Sequence, residues 1–175
     1  ASAYWEALKA KGWERDAEKR RWLQLPAAES AKPEAAAAAW LHLLLDMEVP
    51  DAGYDEKKDE GAPLQAMLRS GTMLCALLEK IKPGAIKLKV ASDEQLATMA
   101  PNRANAKMRE NIGQYIDACS ELGLPQRELF ITADLFDDKD FKVILRNIEG
   151  LARLSQDMPG YSGPYIGKKV VIQKK

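Results

Sequence analysis

The chain has 175 residues, 46% of them hydrophobic and 30% charged, with 26 basic residues balancing 26 acidic ones. That is enough apolar sequence for one ordinary domain with flanking segments, and it excludes disorder throughout. Zero formal net charge argues against a dedicated nucleic-acid binder, whose domain would be clearly basic.

Residues 1–25, ASAYWEALKAKGWERDAEKRRWLQL, read as a charged, weakly amphipathic helix in which Trp5, Leu8, Trp13 and Ala17 roughly share a face. Gly12 weakens it by about 1 kcal/mol relative to Ala. Three of the four tryptophans lie in this segment, so it is expected to pack on the domain or to present Trp to a partner. PAAESAKP then breaks the pattern. Pro33 suits a first helical turn and Glu34 suits the positive end of the dipole, so a helix should run to about Met47, with Ala36, Trp40, Leu43, Leu44 and Met47 on one face.

After the acidic loop EVPDAGYDEKKDEGAP, the residues Leu64, Met67, Leu68, Gly71, Leu74, Cys75, Leu78 and Ile81 keep helical spacing. Leu77 adds a second apolar face, which predicts one central helix. It should stop at Pro83 and Gly84, return Ile86 to the core and leave Lys82, Lys87 and Lys89 outside. Residues 92–104 read as a short helix and loop. Asn105 or Asn102 is expected to cap a helix to about Leu122, striped by Met108, Ile112, Tyr115, Ile116, Cys119 and Leu122 and ended by Gly123 and Pro125. QRELF is a short turn. DDKD opens a last helix whose buried face is Phe141, Ile144, Leu145, Ile148, Leu151 and Ala152, and a Gly/Pro-rich basic tail follows Met158.

Catalytic and metal chemistry is thinly represented. His42 is the one histidine, and the sequence contains neither a nucleophile elbow nor a phosphate-binding P-loop. Two distant cysteines, Cys75 and Cys119, with one histidine do not make a zinc set and read as reduced core thiols of an intracellular protein. The acids of DLFDDKDF fail the calcium-loop pattern: counted from Asp134, the sixth residue is Lys139 and the twelfth Leu145. No cofactor is expected. The run AAAAAWLHLLLDM is too short to span a bilayer, and residues 1–30 lack a secretory h-region, so membrane insertion is not expected and the cytoplasm is the default. Ala1 fits either loss of an initiator Met or a cut from something longer.

Taken in order, LRSGTMLCALLEKIKPGAIK, RENIGQYIDACSELGL and ELFITADLFDDKDFKVILRNIEGLA resemble the calponin-homology (CH) domain, and most closely its single, calponin/transgelin type. The resemblance covers about Glu34 to Asp157, with Trp40 at the core position of the first helix. It implies an all-α fold of four main helices plus short connecting helices, here with an N-terminal helical extension. The expected organisation is a Trp-rich extension over 1–32, a CH domain over 33–157 and a basic tail over 158–175. It also implies a non-catalytic cytoskeletal module whose partner is F-actin, with signalling-protein adaptor or autoregulatory roles, or microtubule binding, as alternatives. Carried over by position, Lys139, Lys142 and Arg146 around the last helix are candidate contacts, beside Lys82, Lys87 and Lys89 of the turn and Lys168 and Lys169 of the tail. The last helix lacks the tryptophan common in tandem CH pairs.

Overall fold

A computed structural model describes residues 15–16, 21–22, 37, 40–41, 44–45 and 62–161. The described domain is helical. Ala37, Trp40, Leu41, Leu44 and Leu45 belong to a first helix, followed by α1 (Ala62–Leu68), α2 (Thr72–Ile81), α3 (Asp93–Ala97), α4 (Pro101–Glu121), α5 (Thr132–Phe136) and α6 (Phe141–Leu154). Single 3-10 turns lie at Gln126–Glu128 and Ser155–Asp157.

Within the segment read as an N-terminal helix, Arg15–Asp16 and Arg21–Trp22 instead pair antiparallel, Arg15 opposite Trp22. A helix there had only a sparse apolar stripe, interrupted by Gly12, to bury. Pairing two short strands satisfies backbone groups without such a stripe. The remainder of the N-terminal segment lies outside the described residues.

The first helix buries Ala37, Trp40 and Leu41 and half-buries Leu44 and Leu45. Its stripe therefore runs 37, 40, 41, 44, while Ala36, Leu43 and Met47 fall outside the described residues. Helix α2 is the centre of the molecule: Met73, Leu74, Cys75, Leu77, Leu78 and Ile81 are all buried, more than one face of a ten-residue helix. All six expected residues of α6, from Phe141 to Ala152, are buried, because they fall on one stripe that meets the same core. Tyr161 also folds back against it, half-buried, so the segment after α6 turns over Met158–Tyr161.

The sequence pattern ran through Gly71, yet the helix breaks there. Leu68 ends α1, and Gly71 turns the chain with a left-handed φ of 74°. The reason is the approach of α4. A Cβ on Gly71 would stand 2.8 Å from the Ile112 backbone nitrogen and 2.9 Å from Asn111 Cβ. The packed pair thus selects both the residue and its dihedral. Asn111 Nδ2 then donates to Ser70 O at 3.1 Å and Ala91 O at 3.3 Å, tying the segments before and after α2 to α4.

Helix α4 starts earlier than the asparagine caps predicted. Ala100 is the N-cap and Pro101 the first helical residue, a position where the missing N–H of proline is not needed. Ser92 and Gln95 form a reciprocal capping box on the short α3 that precedes it. At the far end, Gly123 N–H reaches Ser120 O and Leu124 N–H reaches Cys119 O, which closes α4 as expected.

Gly71→Ala should lower unfolding free energy by about 3 kcal/mol, since strain and a backbone clash coincide. Gly84→Ala, at φ 85° in open space, should lower it by only about 1 kcal/mol. Urea denaturation of the two variants measures the difference, and equal losses would contradict the close approach of α4.

Candidate functional site

The Lys-Pro-Gly turn after α2 is held from within by one carboxylate. Glu79 Oε2 accepts from Gly84 N–H at 3.0 Å and Glu79 Oε1 from Ile86 N–H at 2.8 Å. Lys82 N–H closes the helix onto Leu78 O. Ile86 is half-buried against the core, while Lys82, Lys87 and Lys89 are exposed. Sequence reasoning placed those lysines correctly but had no signal for the Glu79 clamp, because a side chain reaching five and seven residues ahead leaves no periodic trace.

The three lysines do not act as one cluster. Lys87 Nζ lies 3.2 Å from Glu121 Oε2 at the end of α4, an exposed pair of little energetic weight. Lys89 lines a cleft with Arg103 and Lys107 of α4. Lys82 stands alone at the turn. Exposed Leu88 lies between them, its N–H donating to Gln114 Oε1 at 3.3 Å.

The second candidate group sits at the junction of α5 and α6. Asp134 O accepts from Lys139 N–H and Asp140 N–H, Asp138 takes a left-handed φ of 52° and accepts from Gln65 Nε2, and Asp140 caps α6 by accepting from Lys142 N–H. Of the DDKD acids, Asp140 thus holds backbone at the start of α6 and Asp138 holds the Gln65 side chain. Among the described residues, no group of three or more His, Cys, Asp and Glu could hold a metal ion. Lys139, Lys142 and Arg146 project from this scaffold and are exposed. On the same helix, burial pushes the Glu149 carboxyl up, against the opposing pull of Arg153 and Arg146. Arg153 pairs with buried Glu128, so the positive face of α6 is confined to its first two turns. Lys168 and Lys169 lie outside the described residues, as does His42.

The interior has its own polar chain. Tyr115 Oη donates to Asn147 Oδ1 at 2.6 Å, and Asn147 Nδ2 donates to Glu128 O at 2.9 Å. The two thiols are inert for the same physical reason that they are buried. Desolvation lifts Cys75 to about 12, helped by Cys119 and Glu79, and lifts Cys119 to about 12 against hydrogen bonds with Tyr115 and Asn147. Arg69 and Arg109 both lie over the Phe136 ring, at 4.3 and 4.4 Å from its centroid, covering a buried aromatic with cations that the linear pattern did not bring together.

With this architecture in place, the family assignment is direct: residues 33–156 match the calponin homology (CH) domain. The chain belongs to the CH-domain family. Its CH domain is similar to myophilin of Echinococcus granulosus, 38% identical over 119 residues, which are 68% of this chain and 58% of myophilin. It is also similar to Rac guanine nucleotide exchange factor B of Dictyostelium discoideum, 30% identical over 108 residues, 61% of this chain and 8% of that protein. The CH domain of an IQGAP protein from Schizosaccharomyces pombe shares the fold, with a TM-score of 0.54 at 20% identity over 82% of this chain and 78% of that one. The chain therefore spans well under two thirds of the curated relatives it matches. Among the described residues of this CH domain, no helix is long and apolar enough to cross a membrane.

Glu79→Ala should free two turn N–H groups and lower stability by about 1–2 kcal/mol, read by thermal or urea unfolding. An unchanged midpoint would show the clamp to be idle. The thiols give a pH test. Unfolded, they ionise near 9.0; folded, near 12. The folded state holds the extra protons between those values. Stability from this source is complete below the lower value and is lost as pH rises toward the upper one. The urea midpoint should accordingly decline through that alkaline window, less so in a Cys75→Ala/Cys119→Ala variant.

Proposed function

We propose that this CH domain is a non-catalytic, cytoplasmic cytoskeletal module that associates with actin filaments through the exposed start of α6. The observation that carries the reading is the row of Lys139, Lys142 and Arg146, held outward by a rigid, acid-capped junction. The four-residue spacing of Lys142 and Arg146 keeps those two along one side of α6, and Lys139 lies just before its N-cap, Asp140. With zero net charge the chain as a whole is not repelled by an acidic filament, and a local group of cations supplies attraction that falls with ionic strength. Lys82 at the turn and Lys168 and Lys169 in the tail are secondary contributors to the same attraction.

A second reading is a protein-interaction or autoregulatory domain. Its support is the similarity to an exchange factor of which the matching region is 8%, together with the Trp-rich segment that precedes the domain. Microtubule binding is the lesser alternative, since it needs a more basic face.

Cosedimentation with actin filaments and, in parallel, with microtubules tests these readings. The chain should pellet with actin at low salt and be released as salt rises. Lys139→Glu/Lys142→Glu/Arg146→Glu should weaken it about tenfold. Absence of pelleting with actin, or pelleting indifferent to the triple change, would remove the filament reading. Unmasked binding after deletion of residues 1–30 would favour the autoregulatory one.

A further inference from the structure

Between the segment that leaves the Lys-Pro-Gly turn and the start of α4 lies a cleft of about 600 Å³. Three of its lining side chains are cations: Lys89 from the segment before α3, and Arg103 and Lys107 from α4. The latter two are four residues apart, so they share a helix face. Among the described residues, no Asp or Glu lines the cleft. Ala91, Met99 and Ala100 supply apolar surface beside the charges.

The positive charge of this cleft is poorly balanced by the described residues. Among the described residues, Lys89 and Arg103 form no ion pair. Lys107 Nζ is 3.1 Å from Glu110 Oε2, but the two side chains keep 37% and 41% of their surface in solvent, so the pair is weak. The first turn of α4 carries no acidic residue either. A convex patch of lysines would be solvated charge by charge. Here, a concave wall of one sign concentrates its field on a shared volume, which favours an anion there.

We propose that this cleft binds a small polyphosphate, a ligand bearing two or more phosphate groups on a compact body. Three cations match more than one phosphate, and the volume exceeds what a single phosphate fills. Arg103 offers a planar fork to two oxygens, Lys89 and Lys107 act as point charges, and Ala91, Met99 and Ala100 pack against the body. The site is separate from the filament surface on α6, and it takes Lys89 away from the turn cluster.

The test is an NMR titration of the whole chain with tripolyphosphate and with inositol hexakisphosphate, using sulfate for comparison. Backbone signals of residues 89–91 and 98–107 should move, and affinity should fall about tenfold or more in Arg103→Ala/Lys107→Ala. Lys142→Ala/Arg146→Ala, equal in charge removed but placed on α6, should leave it unchanged. Arg103, Lys142 and Arg146 are exposed and Lys107 is half-buried, and circular dichroism confirms the fold of each variant. No shift, equal loss in the two double variants, or sulfate binding as tightly as the polyphosphates would overturn the site. Sedimentation with phosphatidylcholine vesicles, with and without phosphatidylinositol bisphosphate, identifies the source of the phosphates. Arg103-dependent pelleting assigns a lipid headgroup, and binding of the free probes alone assigns a soluble ligand.

Discussion

The crossing of α2 and α4 at Gly71 is the constraint on which the domain rests. Backbone meets backbone there with no room for a Cβ. Cys75 Sγ donates to Asn111 O at 3.3 Å one turn further on, and the Asn111 amide reaches back to Ser70 and Ala91. Close packing of this kind admits little adjustment. It forces α1 to end, fixes where α2 begins, and thereby decides where the Lys-Pro-Gly turn emerges. The turn is then finished locally by Glu79. Its stiffness is a consequence of the core, and its lysines are passengers on a structural device.

The same packing distributes charge that composition reports only as a sum. Lys87 is set against Glu121, Arg153 against Glu128 and Lys107 against Glu110. Among the described residues, two groups of cations stand out from the rest: Lys139, Lys142 and Arg146 around the start of α6, and Lys89, Arg103 and Lys107 at the cleft beside α4. A neutral protein can therefore carry distinct cationic sites, and the two proposals made for them are separable because the residues come from different helices. Both cysteines are desolvated and held in the unreactive thiol form.

Much of the fold was legible because apolar spacing is a local property. The stripes of α2, α4 and α6, and the stop at Gly123, follow from periodicity and from the stereochemistry of glycine and proline. The misreadings share a cause. The stripe that runs through Gly71 is continuous, and only the presence of α4 converts it into two helices. Asn102 and Asn105 are good cap residues, but Pro101 was already placed to begin α4. Arg15 and Arg21 sit in a segment with helical composition whose faint apolar face gave it nothing to bury.

Sequence by itself determined that this chain builds an all-helical domain of the CH family, with an apolar α2 at its centre and lysines around a proline–glycine turn. These depend on residue type and spacing along the chain. Tertiary structure alone decided which charges face one another: the Glu79 clamp, the pairing of Lys87 with Glu121, the two arginines over Phe136, and the convergence of Lys89 with Arg103 and Lys107. Those residues stand 5 to 67 positions apart. Electrostatic interactions act through space and are screened beyond about 10 Å at ordinary ionic strength, so their pattern exists only after the helices have packed.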